Sequence, residues 1–237
     1  MNILITRPIE QSIALINKLS KNGFSPFLLP LIEITPLEFC LNDYDFDYII
    51  FTSQNSCKFF ISYLKNFNLR KTSVVAIGTK TSCYLKNKGI KVDLIPNEYS
   101  TEGLKELFIR HNINNKKILI PGSSIRDRNF EDFCKKNNNY VTAINIYTTN
   151  PIKYRHSYID NFIKECAIDV ITLFSPSAAQ ALLDQFDYLS TSPITYICIG
   201  NKTSNYLKER GINSFFPDEF TEDGILDILI KIKKETK

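Results

Sequence analysis

The chain has 237 residues, 43% hydrophobic and 23% charged, so it is long enough for one large domain or two of about 110–120 residues. A net charge of +4, with the basic residues scattered rather than clustered, argues against a nucleic-acid binder and is compatible with an anionic small molecule. The opening MNILITRP lacks the core of a secretory signal and no apolar run reaches the roughly 18 residues of a membrane span, so a cytoplasmic protein is expected.

NILIT reads as a buried strand, followed by a helix with Ile9, Ile13, Ile16 and Leu19 at helical spacing and Gly23 at its C-terminal end. FSPFLLPLIEITPLE is extended, its three prolines favouring an edge or a bend. DYIIFTSQNS is a strand ending in hydroxyls and amides, with a helix over 57–66 behind it. SVVAIG, ending at Gly78, is the next strand, with a helix after it. KVDLIP is predicted as a strand, and Thr101 as the N-cap of a helix to Arg110. KILIPGSS, a helix over 125–137 and the long extended VTAINIYTTNP complete this half. The second half repeats the theme: a helix near 158–166, strand DVITLFS, a helix from about Ser177, strand TYICIG, helix TSNYLKERG, strand SFFP and helix TEDGILDILIKIKK.

That repetition is explicit. Asp47 matches Asp169, Ser53 matches Ser175, Gly78 matches Gly200, Thr81 matches Thr203 and Gly89 matches Gly211, all at one offset; Gly103 meets Gly224 one residue short of it. The period is that of a domain-sized duplication. Alternating strands and helices make each half α/β, a flavodoxin-like parallel sheet flanked by helices. A β-α-β piece precedes each repeat and could pair with either one. Because two extended segments lie where the chain would cross over, the expected arrangement is residues 1–36 plus 148–237 as one domain and 37–147 as an inserted one. The substrate cleft is expected between them.

Ligands of open parallel sheets sit at the carboxyl ends of strands, beside helix N-termini. The residues there are Thr6-Arg7, Thr52-Ser53-Gln54, Gly78-Thr79, Pro121-Gly122-Ser123-Ser124, Ser175-Pro176-Ser177 and Gly200-Asn201, whose hydroxyl and N–H groups suit carboxylate or phosphate without a cofactor. Each hydroxyl also has a plain reading as a helix cap, and a duplicated cap would repeat too. Arg126 has both an ion-pairing and an anion-binding reading. Asp43, Asp45 and Asp47 read as a solvated loop. No dinucleotide or P-loop glycine motif appears, nor a nucleophile elbow or zinc spacing. The six cysteines read as buried hydrophobes, and His111 and His156 as exposed.

The ordered series Thr6-Arg7-Pro8, IIFTSQNS at 49–56, AIGTKT at 76–81, STEGL at 100–104, INIYTT at 144–149, LFSPSA at 173–178, CIGNKT at 198–203 and FTEDGIL at 220–226 resembles the uroporphyrinogen-III synthase family over essentially the whole chain. One departure is Pro121-Gly122, where the family often has Arg-Gly. The resemblance implies a cofactor-independent lyase that closes hydroxymethylbilane, a linear tetrapyrrole octacarboxylate, to uroporphyrinogen III with loss of water and inversion of ring D. It implies Tyr147 as the catalytic group, donating to the departing hydroxyl. Arg7, Ser53, Thr81, Gly122, Ser123, Arg126, Ser175, Ser177 and Thr203 are expected to bind substrate. A task of holding a reactive chain in one shape needs little acid–base machinery. The expected protein is a monomer acting on a small molecule, without nucleic acid, membrane or metal, and meeting the enzyme that makes hydroxymethylbilane only transiently. The rivals are a non-catalytic binding protein for a small anion, which normally carries an export signal, and a sugar-nucleotide glycosyltransferase, which is usually longer.

Overall fold

The computed structural model describes residues 1–155, 157–186 and 194–235, so His156 lies outside the described residues. In chain order the elements are β1 (Asn2–Ile5), α1 (Ile9–Lys21), β2 (Ser25–Leu28), β3 (Ile32–Pro36), β4 (Tyr48–Phe51) and α2 (Gln54–Phe60), which runs on into a 3-10 stretch, Ile61–Asn66. Then come β5 (Ser73–Ala76), α3 (Thr79–Asn87), α4 (Thr101–Arg110), β6 (Lys117–Ser123), α5 (Asn129–Lys136) and β7 (Tyr140–Pro151). The rest is α6 (Tyr158–Glu165), β8 (Val170–Leu173), α7 (Pro176–Leu183), β9 (Thr195–Cys198), α8 (Asn201–Lys208) and α9 (Glu222–Glu235). None of the described helices is long and apolar enough to cross a membrane.

The chain divides into two compact units, Met1–Ile34 with Asn150–Lys237, and Thr35–Thr149. The first is built on a sheet in the order β2-β1-β8-β9, the second on a sheet in the order β3-β7-β6-β4-β5. In the first, β1 is parallel to both β2 and β8, and β8 to β9. In the second, β4 is parallel to β5 and β6, and β6 to β7. The N-terminal β-α-β piece therefore joins the second repeat, with Ile3 opposite Val170. The piece containing β6 joins the first repeat, with Tyr48 opposite Ile118.

Strand side chains alternate faces, so a sheet covered on both sides needs near-continuous apolar strands. In the first unit Leu4, Ile171, Leu173, Tyr196 and Cys198 pack with Ile159 and Ile163 of α6, Leu182 of α7 and Leu207 of α8. Ile3, Ile5, Val170 and Ile197 face the other way, onto Leu15 and Leu19 of α1 and Ile225 and Leu229 of α9. In the second unit Ile50, Val75, Ile118 and Ile120 pack with Leu104, Leu107 and Phe108 of α4 and Phe130 of α5. On its opposite face the ring of Phe51 lies 6.2 Å from that of Phe60 in α2.

Several sequence expectations need correction. Ile9 and Ile13 are 61% and 58% exposed; the buried stripe of α1 is Ser12, Leu15 and Leu19. Ser12 fits that face because its hydroxyl donates to the carbonyls of Pro8 and Arg7 at 3.0 and 3.3 Å. KVDLIP and SFFP form single bridges, Val75 with Leu94 and Ile197 with Phe215, rather than strands. Asp93 spends its carboxylate on the Val74 N–H at 2.9 Å, and Pro96 and Pro217 offer no donor to extend a ladder. The cap of α4 is Ser100, which accepts from the Gly103 N–H at 3.0 Å, not Thr101.

Asp47 lies in the expected loop, just before β4. Its carboxylate accepts from the Lys117 N–H at 2.8 Å, and its match Asp169 accepts from the Asn2 N–H at 2.7 Å. Each thus holds the amino end of the neighbouring strand in register.

Candidate active site

In the second unit, β4 is followed two residues on by Ser53, the N-cap of α2, which accepts from the Ser56 N–H at 3.0 Å. Ser56 returns a bond from its own hydroxyl to the Ser53 carbonyl at 2.6 Å. The Ser53 hydroxyl also lies 3.0 Å from the phenol oxygen of Tyr147, on β7. Between Gly122 and Ser123 the register of β6 against β7 slips by one, so Ser123 stands opposite Tyr147. Such a bulge re-aims side chains where a strand meets a site. Beyond it the Ser124 N–H donates to the Tyr147 carbonyl at 2.9 Å, and the Ser124 hydroxyl to Thr148. The Tyr147 ring stacks on Phe59 at 5.5 Å and is 7% exposed. Burial pushes its phenol above the ordinary tyrosine range, against the opposing pull of the Ser53 hydrogen bond and the Arg126 charge.

Arg126 folds back over Gly122, where an added Cβ would come within 3.1 Å of its Cδ. Its guanidinium donates to the Ser123 carbonyl at 2.7 Å, to Asn145 and to the buried carboxylate of Glu131. Its local ion pair is real.

In the first unit, Ser175 caps α7 through the Ala178 N–H at 3.2 Å, and Ser177 lies 2.9 Å from it, hydroxyl to hydroxyl. Pro176 is the first helical residue, a position that needs no N–H. Arg7 is buried, its guanidinium 4.4 Å from the Phe174 ring centre and its Nη2 2.7 Å from Glu222 in the first turn of α9. Its Nε is enclosed without a hydrogen-bond partner among the described residues. Arg7 is thus held by partners of its own unit.

Thr81 and Thr203 are 4% and 2% exposed, on the inner faces of α3 and α8. Above them Gly78 and Gly200 start those helices, and a Cβ there would stand 2.9 Å from Tyr99 and 3.1 Å from Phe220. Tyr99 and Phe220, each half-exposed, precede the caps of α4 and α9. Sequence reading missed them, although they stand at the same spacing as Gly103 and Gly224. Phe59, Phe174, Ser56, Glu131 and Glu222 were missed as well, and no single-residue signal marks them. Among the described residues there is no group of three or more His, Cys, Asp or Glu placed to hold a metal ion.

A family model described as uroporphyrinogen-III synthase HemD matches residues 13–227. The chain is 26% identical over 242 residues to the porphyrin biosynthesis protein HemD of Ruminiclostridium josui, covering 97% of this chain and 48% of that protein, about half its length. It is 25% identical to the uroporphyrinogen-III synthase of Chlorobaculum parvum, covering 92% and 93% of the two chains. Its fold is similar to the crystal structure of uroporphyrinogen-III synthetase from Helicobacter pylori, with a TM-score of 0.71 at 18% identity over 98% of this chain and 99% of that one. A mutant uroporphyrinogen III synthase from Thermus thermophilus gives 0.67 at 14% identity, over 99% and 100%.

Proposed function

The chain belongs to the uroporphyrinogen-III synthase family, and on that premise we propose how its own residues close hydroxymethylbilane to uroporphyrinogen III. The family's enzymes are lyases of tetrapyrrole biosynthesis: water is lost, ring D is inverted, and no external reactant is consumed. In the proposed sequence, hydroxide leaves the hydroxymethyl carbon to give an azafulvene cation. The substituted carbon of ring D attacks it, and the resulting spiro intermediate fragments and recloses.

The observation that carries the residue assignment is the Ser53–Tyr147 hydroxyl pair at the carboxyl end of β4. A buried phenol, pushed upward by its surroundings, stays protonated at neutral pH and is a proton donor to the departing hydroxide. The unprotected substrate closes spontaneously to the uninverted isomer, so the larger demand is positioning. The substrate's carboxylates are assigned to Ser123, Ser175 and Ser177 and to the helix starts beside them. Arg126 contributes a cation paired with Glu131. Arg7, Thr81 and Thr203 are assigned to holding those elements in place, with Gly122 leaving room for the Arg126 stem. The same reading has the protein work as a cytoplasmic monomer, receiving a short-lived substrate from the enzyme that makes it.

The test is to add purified protein to freshly generated hydroxymethylbilane, oxidise, and separate the isomers. Type III product above a protein-free control is expected. Tyr147→Phe is expected to cut turnover at least several-fold while leaving the circular dichroism and urea midpoint in place. Type I product alone, from folded protein, would return the chain to binding a small anion without turnover.

A further inference from the structure

The hydroxyl of Ser53 has one proton and two lone pairs. One lone pair takes the Ser56 N–H at 3.0 Å. Ser56 does not compete for the rest, since its own proton goes to the Ser53 carbonyl. The other party is equally constrained. The Tyr147 ring is stacked on Phe59, and its carbonyl is tied to the Ser124 N–H, so the phenol oxygen has little freedom to leave its place 3.0 Å from Ser53.

Two proton arrangements fit this geometry. If Tyr147 donates, both Ser53 lone pairs are filled and the serine proton points elsewhere. If Ser53 donates, the phenol proton is available to a third group. Only the second survives loss of the phenol proton, because a phenolate accepts and cannot donate.

We infer that Ser53 is a positioning residue for Tyr147: it donates to the phenol oxygen, directing the phenol proton at the departing hydroxyl and meeting the phenolate with a donor already in place. The inference rests on the assignment of Tyr147 above. As the C–O bond of the hydroxymethyl group breaks, its electron pair stays on oxygen, the phenol proton moves there, and water leaves. The proton shed by the unsubstituted carbon of the terminal pyrrole, when the last C–C bond forms, returns to the phenolate. One C–O and one C–H bond are exchanged for one C–C and one O–H, with no oxidant or reductant. The helix cap and the hydrogen-bond donor to the phenol are then the same atom, Ser53 Oγ. The Arg126 cation favours the phenolate too, and the Cys57 thiol, which as a thiolate would oppose it, is held neutral by burial at neutral pH.

The test compares Ser53→Gly, Ser53→Thr and Tyr147→Phe. Glycine caps a helix nearly as well as serine but has no hydroxyl, and threonine keeps both functions. Protein carrying 13C at the tyrosine ζ carbon reports phenol titration by NMR without substrate, and the resonance absent from Tyr147→Phe identifies Tyr147. In Ser53→Gly we expect kcat to fall about tenfold, KM to change little, and the Tyr147 titration to move up by about one unit. Ser53→Thr recovers most of both. If Ser53→Gly folds poorly, Ser53→Asn, a good cap that offers an amide donor, is set against Ser53→Asp, an equal cap that only accepts; kcat and the titration are expected to hold better in Asn.

An unmoved titration with unchanged kcat, or a change in KM alone, overturns the role of Ser53 while Tyr147 stands. Full turnover by Tyr147→Phe overturns the assignment of Tyr147 and the inference with it.

Discussion

Arg7 and Arg126 are each held by a carboxylate of a following helix, Glu222 and Glu131. Removing one member of an enclosed pair strands the other, so Arg7→Met is expected to cost about 3 kcal/mol, read from urea unfolding. Arg7→Met with Glu222→Gln should cost less than the sum of the single changes. The cysteines divide by burial: Cys40 and Cys83 are exposed, while Cys57, Cys134 and Cys198 are buried. Burial raises the Cys57 and Cys134 thiols to about 12 and the Cys198 thiol to about 11. A disulfide-exchange reagent at pH 8 should therefore modify Cys40 and Cys83 first and leave the buried three for global unfolding. With folded values above the unfolded value near 9, these thiols contribute stability below pH 9 that is lost as pH rises from about 9 to 12. The urea midpoint should fall across that window. Sequence reading named Ser53 and Arg126 from their places, and Tyr147 through the family resemblance, without the contacts among them. A bond between side chains 94 positions apart, such as Ser53 to Tyr147, leaves no trace in either local stretch.

Each repeat carries a turn in which an aromatic ring covers the glycine that starts the preceding helix. Tyr99 lies over Gly78 and Phe220 over Gly200, and a second glycine, Gly103 or Gly224, follows in the first turn of the next helix. An added Cβ at Gly103 would run into the Glu98 carbonyl, which is backbone; at Gly78 it would meet a side chain that can swing away. Gly103→Ala is thus expected to cost more than Gly78→Ala, at the upper and lower ends respectively of the roughly 1–3 kcal/mol of overpacking, measured by thermal unfolding. The helices and central strands were legible because their apolar patterning is strong. KVDLIP and SFFP were misread because β propensity says nothing of a side chain such as Asp93 taking a ladder donor. The exposed Ile9 and Ile13 misled for a related reason: a serine with local carbonyl partners occupies the core-facing position periodicity gave to isoleucine.

On the scale of the whole molecule, the sheets share one plan, β2-β1-β8-β9 against β7-β6-β4-β5, with β3 added outside β7. The repeats fill β8-β9 and β4-β5, and the β-α-β pieces fill the remaining places. Duplication was plain in the sequence; which piece joined which repeat was not, since either pairing satisfies the same pattern. The second unit draws its core from one continuous stretch. A fragment of residues 32–151 is expected to unfold cooperatively in urea by circular dichroism and fluorescence, and a gradual, structureless transition would contradict that.

The same strand order sets a timetable for synthesis. Thr6 at the end of β1 donates to the carbonyl of Thr172, 166 residues further on. At about 5–20 residues per second, that partner leaves the ribosome roughly 10–30 seconds after the first strand. Ile3, Leu4 and Ile5, which have no exposure in the folded protein, spend that interval without β8 beside them, while every strand of the inserted unit emerges in one uninterrupted run. The nascent chain is therefore expected to complete the inserted unit before the unit around it, with β1 a sticky strand that a ribosome-associated chaperone would have reason to cover.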